Sequence, residues 1–205
     1  MNKKVPENKK KISASDPFSS DTSFNKLYPS AIQALDYKHW SPLEAAKKAA
    51  EFLAAESGVK ILDIGCGVGK FCLAAAHYKP KAFYYGVEQR IELTGYAEKA
   101  KEILRLENVY FIHGNFTELD FNIFDHFYFY NSFYENVAET GLIDNSIKHS
   151  EVLYNYYNDF LFKQLQQKPA GTRLATFFSQ EVEVPPEYHE VGSAVDNILK
   201  FWIKV

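Results

Sequence analysis

The chain has 205 residues, 46% hydrophobic and 24% charged, with a formal net charge of −3. That length suits one domain with a modest extension, and the composition excludes a disordered or collagen-like chain. The two cysteines form no C-x-x-C pair, no apolar run approaches the ~20 residues of a membrane-spanning helix, and the slightly acidic balance does not mark an obligate nucleic-acid binder.

Residues 1–25 carry five lysines in the first eleven positions and are otherwise rich in Ser, Asn and Asp. They read as a basic, flexible N-terminal tail ahead of one domain over 26–205, whose first part (26–57) is a helical cap. The lysines are followed by no apolar core, so the N-terminus does not read as a signal peptide, and the expected location is the cytoplasm. Tyr28–Tyr37 shows a short helical pattern. Ser41-Pro42-Leu43-Glu44 then reads as a helix start, with the Ser41 hydroxyl accepting from a first-turn amide and Glu44 reaching back. Leu43, Ala46, Ala50 and Leu53 step by three and four, so one face of that helix is buried. Strands are predicted at 59–64, 82–87, 109–112, 127–130 and 173–178, with helices from about Gly69 and over 91–106 and 150–167. After Pro185-Pro186 a hairpin is expected, with arms 188–195 and 198–205 turning at Asp196-Asn197. Such strand–helix alternation predicts a three-layer α/β/α sandwich around a mostly parallel sheet, closed by an antiparallel hairpin. In such sheets the ligand sits beyond the carboxyl ends of the strands, where strand order reverses.

The loop after the first strand reads Asp63-Ile64-Gly65-Cys66-Gly67-Val68-Gly69. Glycine at alternate positions lets the backbone turn sharply and come close to a ligand. The spacing is G-x-G-x-G. Lys70 stands where a dinucleotide fingerprint has its last glycine, and no Walker GK[ST] follows. Glu88 lies 25 residues after Asp63, at the end of the second strand, where a carboxylate can accept from both hydroxyls of a ribose. Asp63 is a candidate acceptor for loop amides or a partner for a ligand cation.

These two features, ILDIGCGVG (61–69) and GVE (86–88), make the sequence resemble the class I S-adenosylmethionine-dependent methyltransferases. The resemblance runs from about Trp40 to the C-terminus and is sharpest over 61–134. It implies a seven-stranded sheet of order 3-2-1-4-5-7-6 and S-adenosyl-L-methionine as cofactor. It further implies a cradle formed by Asp63, Gly65, Cys66, Gly67, Gly69, Glu88, Gln89, Asn115, Phe116 and Asn131. In it Asn115 and Phe116 would meet the adenine edge. After the fourth strand, Tyr130-Asn131-Ser132-Phe133-Tyr134 resembles the (Asp/Asn/Ser)-Pro-Pro-aromatic motif of amino-group methyltransferases. Asn131 and Tyr134 match its ends and are the implied catalytic pair, while Ser132 and Phe133 replace both prolines. Phe127 and Phe129 are expected in the core, and Tyr130, Phe133 and Tyr134 at the pocket. Residues 135–149, with Tyr154, Tyr156 and Tyr157, are expected to cap the acceptor site, and His39-Trp40-Ser41-Pro42 to cover the cofactor from the other side. The six histidines show no metal-ligand spacing, so no metal is expected. The expected acceptor is a small molecule or a protein side chain, no membrane partner is expected, and nucleic acid is disfavoured without being ruled out. A cofactor-binding module without catalysis is the alternative from another class.

Overall fold

Five short strands rich in β-branched and aromatic residues build the centre of the protein. They are β1 (Lys60–Ile64), β2 (Phe83–Glu88), β3 (Val109–His113), β4 (His126–Phe129) and β5 (Arg173–Phe177). The closing hairpin supplies β6 (Tyr188–Ala194) and β7 (Leu199–Lys204). The computed structural model describes residues 16–137, 142–179 and 184–205. The sheet order is β3-β2-β1-β4-β5-β7-β6, with the first five strands parallel and β7 antiparallel to both β5 and β6. The fold class and strand order expected from the sequence are both present. The hairpin turns through Val195, Asp196 and Asn197, all at positive φ, which Asp and Asn tolerate better than most residues.

Burial follows strand position. All four residues of β4 and four of the five in β1 are buried, as a central parallel strand covered on both faces requires. The edge strand β6 is mostly exposed. Along β1 the side chains alternate between two cores. Ile61 joins the layer of α4 (Leu43–Leu53), α5 (Lys70–Tyr78) and α6 (Ile91–Leu104). Leu62 and Ile64 join α7 (Glu151–Gln166) and the phenylalanines Phe116, Phe121 and Phe124. Phe127 and Phe129 are core residues, as expected. No helix among the described residues is long and apolar enough to cross a membrane.

The N-terminal segment departs from its sequence reading. Residues 1–15 of the expected tail lie outside the described residues. Residues 16–25 are folded: α1 (Asp21–Asn25) is capped by the Ser20 hydroxyl, and Phe24 is fully buried. The folded region therefore includes Asp16–Asn25, and the boundary placed at residue 25 is too late. The reason is Lys70, the first residue of α5. Its side chain is only 2% exposed, and its ammonium contacts Asp21 at 2.7 Å, Asp36 at 2.9 Å and Asn25 at 3.2 Å. Three partners match the three donors of an ammonium. They bind α1 and α3 (Asp36–His39) onto the start of α5, while the cation sits over the Phe24 and Trp40 rings. The Tyr28 hydroxyl adds a bond to the Val68 carbonyl at 3.0 Å. A polar, lysine-flanked segment without periodicity gives no hint of this, because the partner charge lies about 45 residues away.

The capping box predicted at Ser41 does not form. Pro42 precedes the first helical residue without a side-chain bond, and the Leu43 amide is instead capped by Asp21 at 2.9 Å. The Ser41 hydroxyl is drawn into the core, where it meets the Tyr128 hydroxyl at 2.6 Å. Asp21 thus joins two helices and a buried cation. Asp21→Ala should lose about 1–2 kcal/mol in urea unfolding, the sum of a cap and a half-exposed ion pair. Asp21→Asn keeps an acceptor for the Leu43 amide and should lose less than half of that.

Candidate active site

β1 ends at Ile64 and the chain turns at once. The Gly65 and Cys66 amides both donate to the Val87 carbonyl, at 3.0 and 2.9 Å. The Gly67 amide donates to Glu88 Oε2 at 3.1 Å, and the Arg90 amide to Glu88 Oε1 at 2.8 Å. One carboxylate therefore joins the glycine loop to the end of β2. Glu88 is 6% exposed, and burial raises its pKa, opposed by the Arg90 amide and guanidinium and by the Gly67 amide. Two of the glycines are required for different reasons. At Gly65 (φ 76°) a Cβ would stand 2.5 Å from Cβ of Ser132, so the residue is small because protein packs there. At Gly67 (φ 55°) a Cβ would meet nothing within 4 Å, so the space in front of it is open. That space belongs to a cleft of about 690 Å³, within the ordinary range of small-molecule sites.

Seven of the expected site residues line this cleft: Gly65, Gly67, Glu88, Gln89, Phe116, Asn131 and Tyr134. Tyr130 and Phe133 line it too, and His39 and Trp40 belong to its far wall. Four expected residues do not line it. Asp63 points to the α5 side of the sheet, where it accepts from Cys72 Sγ at 3.7 Å. Cys66 packs over β2, where its Sγ would lie 2.7 Å from a Cβ at Gly86. Gly69 is small because the Phe111 ring would stand 2.4 Å from its Cβ. Asn115, expected to offer its oxygen to an adenine amine, uses that oxygen locally. Its Oδ1 accepts from the Thr117 amide and hydroxyl, at 3.1 and 3.0 Å, and its Nδ2 donates to the Tyr157 hydroxyl at 2.9 Å. It caps a 3-10 turn.

The end of β4 accounts for the missing prolines. Asn131 takes φ 41° and accepts from the Tyr134 amide at 3.1 Å, so the chain turns here. Ser132 Oγ donates to the Ile64 carbonyl at 2.5 Å, while Phe133 stacks on Phe116 at 4.9 Å between ring centroids. Both side chains fasten the post-β4 turn to neighbouring loops, Ser132 to the end of β1 and Phe133 to the segment after β3. Tyr134 remains half-exposed at the cleft.

Sequence reasoning overlooked Arg90. It is buried, and it meets Glu135 at 3.0 Å, Asp144 at 3.1 Å and Glu88 at 3.8 Å. It thereby ties Glu135 and Asp144 to the carboxylate that holds the glycine loop. The one available signal was its place two residues after a strand-end acid. The segment 143–149 and Tyr157 close this side of the cleft.

A family model described as a methyltransferase domain matches residues 55–184. A tRNA (guanine-N(7)-)-methyltransferase of Microcystis aeruginosa is 43% identical over 54 residues, which is 26% of each chain. The chain thus aligns with about a quarter of that curated relative. Among solved structures, TrmN from Thermus thermophilus is similar with a TM-score of 0.57 at 19% identity, over 85% of this chain and 52% of that one. An RNA methyltransferase from Salinibacter ruber in complex with S-adenosyl-L-homocysteine matches with a TM-score of 0.53 at 17% identity, over 79% and 89%. At these identities the structural likeness establishes the fold.

Burial, against the Cys72 hydrogen bond, lifts the Asp63 pKa to about 8. An unfolded aspartate ionises near 3.9, so the unfolded state releases this proton first as pH rises. The favourable contribution of the protonated group is full below about pH 4 and is lost as pH rises to about 8. Asp63→Asn removes the titration and keeps an acceptor for Cys72. The melting temperature of Asp63→Asn relative to wild type should rise between pH 5 and pH 8.5; a constant difference would show that Asp63 ionises normally.

Proposed function

The chain belongs to the methyltransferase domain family, and on that premise we propose that it binds S-adenosylmethionine in the cleft and transfers the methyl group to an acceptor beside Asn131 and Tyr134. The observation that carries this reading is the Gly67–Glu88 contact on the cleft wall. The open space before Gly67 is a cradle that a Cβ would fill, and the residues present fit the cofactor. Each Glu88 oxygen accepts one amide and keeps a lone pair for a ribose hydroxyl. Gly65 and Gly67 bring bare backbone to the ligand, while Gln89 and Phe116 flank the nucleoside end.

When bound, S-adenosylmethionine supplies a methyl group made electrophilic by its sulfonium. The protein's tasks are alignment and exclusion of water, and well-oriented reactants can lower a barrier by roughly 7–11 kcal/mol. The Asn131 side chain stands where it can orient an acceptor, and the rings of Tyr130, Phe133 and Tyr134 can face a cation. The leading acceptors are a small molecule or a protein side chain. A base of an RNA is a second reading, favoured by the tRNA methyltransferase relative and by the cleft rim. There the exposed rings of Tyr37, Tyr134 and Phe178 accompany Lys38 and Lys148, a combination of stacking surfaces and cations.

Calorimetric titration with S-adenosylhomocysteine tests the cofactor assignment. Gly67→Val should abolish binding in a folded protein, because the side chain occupies the cradle. Unchanged affinity would sink the assignment. Glu88→Ala should weaken binding by about 1–3 kcal/mol, some 5- to 150-fold. Tritiated methyl donor offered to separate RNA, protein and small-molecule extracts then identifies the acceptor class. Tight cofactor binding with no labelled product in any fraction would favour a binding module.

A further inference from the structure

β5 ends at Phe177, and the chain leaves it through Phe178, whose amide donates to the Ile198 carbonyl at 3.0 Å. Phe178 takes φ 54°, in the left-handed region. There Cβ crowds the following carbonyl oxygen, so glycine or asparagine is the ordinary occupant and a bulky residue is strained. Burial does not offset the strain, because the Phe178 side of the cleft leaves the residue 53% exposed. Backbone preference opposes a phenylalanine here, and half of its surface stays out of the core. Strained residues of this kind cluster where a ligand is held.

The ring is firmly backed. Phe178 stacks on Tyr130 at 5.9 Å between centroids with 29° between the planes, and both rings meet Phe177 edge-on at 4.8 Å. The Tyr130 hydroxyl donates to the Lys38 carbonyl at 3.1 Å, which ties its ring to α3. A ring supported on one side and exposed at a cleft is a platform. Resting on the methyl-transfer reading above, we propose that Phe178 determines acceptor specificity by stacking on a flat aromatic ring, so that the atom methylated belongs to such a ring or to a group attached to it. That atom's lone pair takes the methyl carbon, the carbon–sulfur electron pair goes to sulfur, and any proton on the atom is released to water. The strand order assigns Phe178 to the acceptor and not to the cofactor. Glu88 ends β2 and Phe178 follows β5; across β2-β1-β4-β5 they stand three strand spacings apart, ~14 Å at ~4.8 Å each. Asn131, after β4, lies between them in that order, next in the chain to Tyr130. Stacking on an aromatic side chain tolerates many rings, since each has a π face. The platform therefore selects a class, and the ring has two sources: a base of an RNA or a free aromatic compound.

S-adenosylmethionine with a tritiated methyl group is offered to total RNA, to a protein-free small-molecule extract and to the protein fraction, and the labelled product is digested and identified by mass spectrometry. Label is expected on a nucleobase or on a free aromatic compound, and the fraction that carries it distinguishes the two sources. With that fraction as substrate, Phe178→Leu should raise the acceptor KM about 5- to 150-fold, the loss of one ring stack, with kcat within about threefold of wild type. Phe178→Tyr keeps the π face and should stay within about threefold in both constants. Both variants should bind S-adenosylhomocysteine within about threefold of wild type, which also shows that they fold. Label on a ribose hydroxyl, on an aliphatic group or in protein overturns the proposal, and so does an unchanged KM in Phe178→Leu. A loss of S-adenosylhomocysteine affinity of about tenfold in that variant overturns it too, by making the residue part of the cofactor wall. Each of these results leaves the cofactor reading standing. If the wild-type protein binds no S-adenosylhomocysteine, the cofactor reading itself fails; binding without label in any fraction overturns the proposal together with methyl transfer.

Discussion

One carboxylate holds the functional end of this protein together. Glu88 accepts from the Gly67 amide on one oxygen and from the Arg90 amide on the other, so the turn after β1 and the turn after β2 share an anchor. A buried carboxylate without such partners would be costly, and two backbone amides with a guanidinium close by meet that cost. The arrangement leaves the loop bent around open space. Everything proposed about the cofactor depends on that bend keeping its shape.

Buried cations extend the same logic outward. Arg90 carries the anchor's charge network on to Glu135 and Asp144. On the opposite side Lys70 gathers Asp21, Asn25 and Asp36, which presses the N-terminal helices against the start of α5. Each cation lies close in sequence to a residue on the cleft wall: Arg90 two residues after Glu88, and Lys70 three after Gly67. The cleft walls are thus held by charges placed at strand and helix ends, where backbone amides are free to help. Lys70 also gives a physical meaning to the departure from the dinucleotide fingerprint. The last glycine of that fingerprint serves close packing of helix on strand, and here a lysine stands in its place with its side chain directed to the cap.

The turn after β4 shows how a motif can be present at its ends and rebuilt in its middle. Asn131 and Tyr134 stand at the cleft, while Ser132 and Phe133 have become fasteners. Proline stiffens a turn by restricting φ. Here a hydroxyl on the Ile64 carbonyl and a ring on Phe116 restrain it from outside. Gly65 is the counterpart of Ser132, since the serine occupies the volume that a larger residue would need.

The strands, their order of appearance, the closing hairpin and the pair formed by the glycine loop and Glu88 were legible in the amino-acid sequence. Each rests on a local signal: period-two or continuous apolar runs, turn residues, and glycines at fixed offsets from an acid. Direction of side chains was not legible. Asp63 and Asn115 have the right chemistry for a ligand, yet Asp63 projects to the Cys72 side of β1 and Asn115 spends its oxygen on Thr117. Nor could the sequence show that Asp21 caps a helix begun at Leu43, or that Lys70 folds Asp16–Asn25 onto the domain. Those facts depend on which charges and hydroxyls meet across tens of residues, and only the packed sheet with its two helical layers brings them within bonding distance.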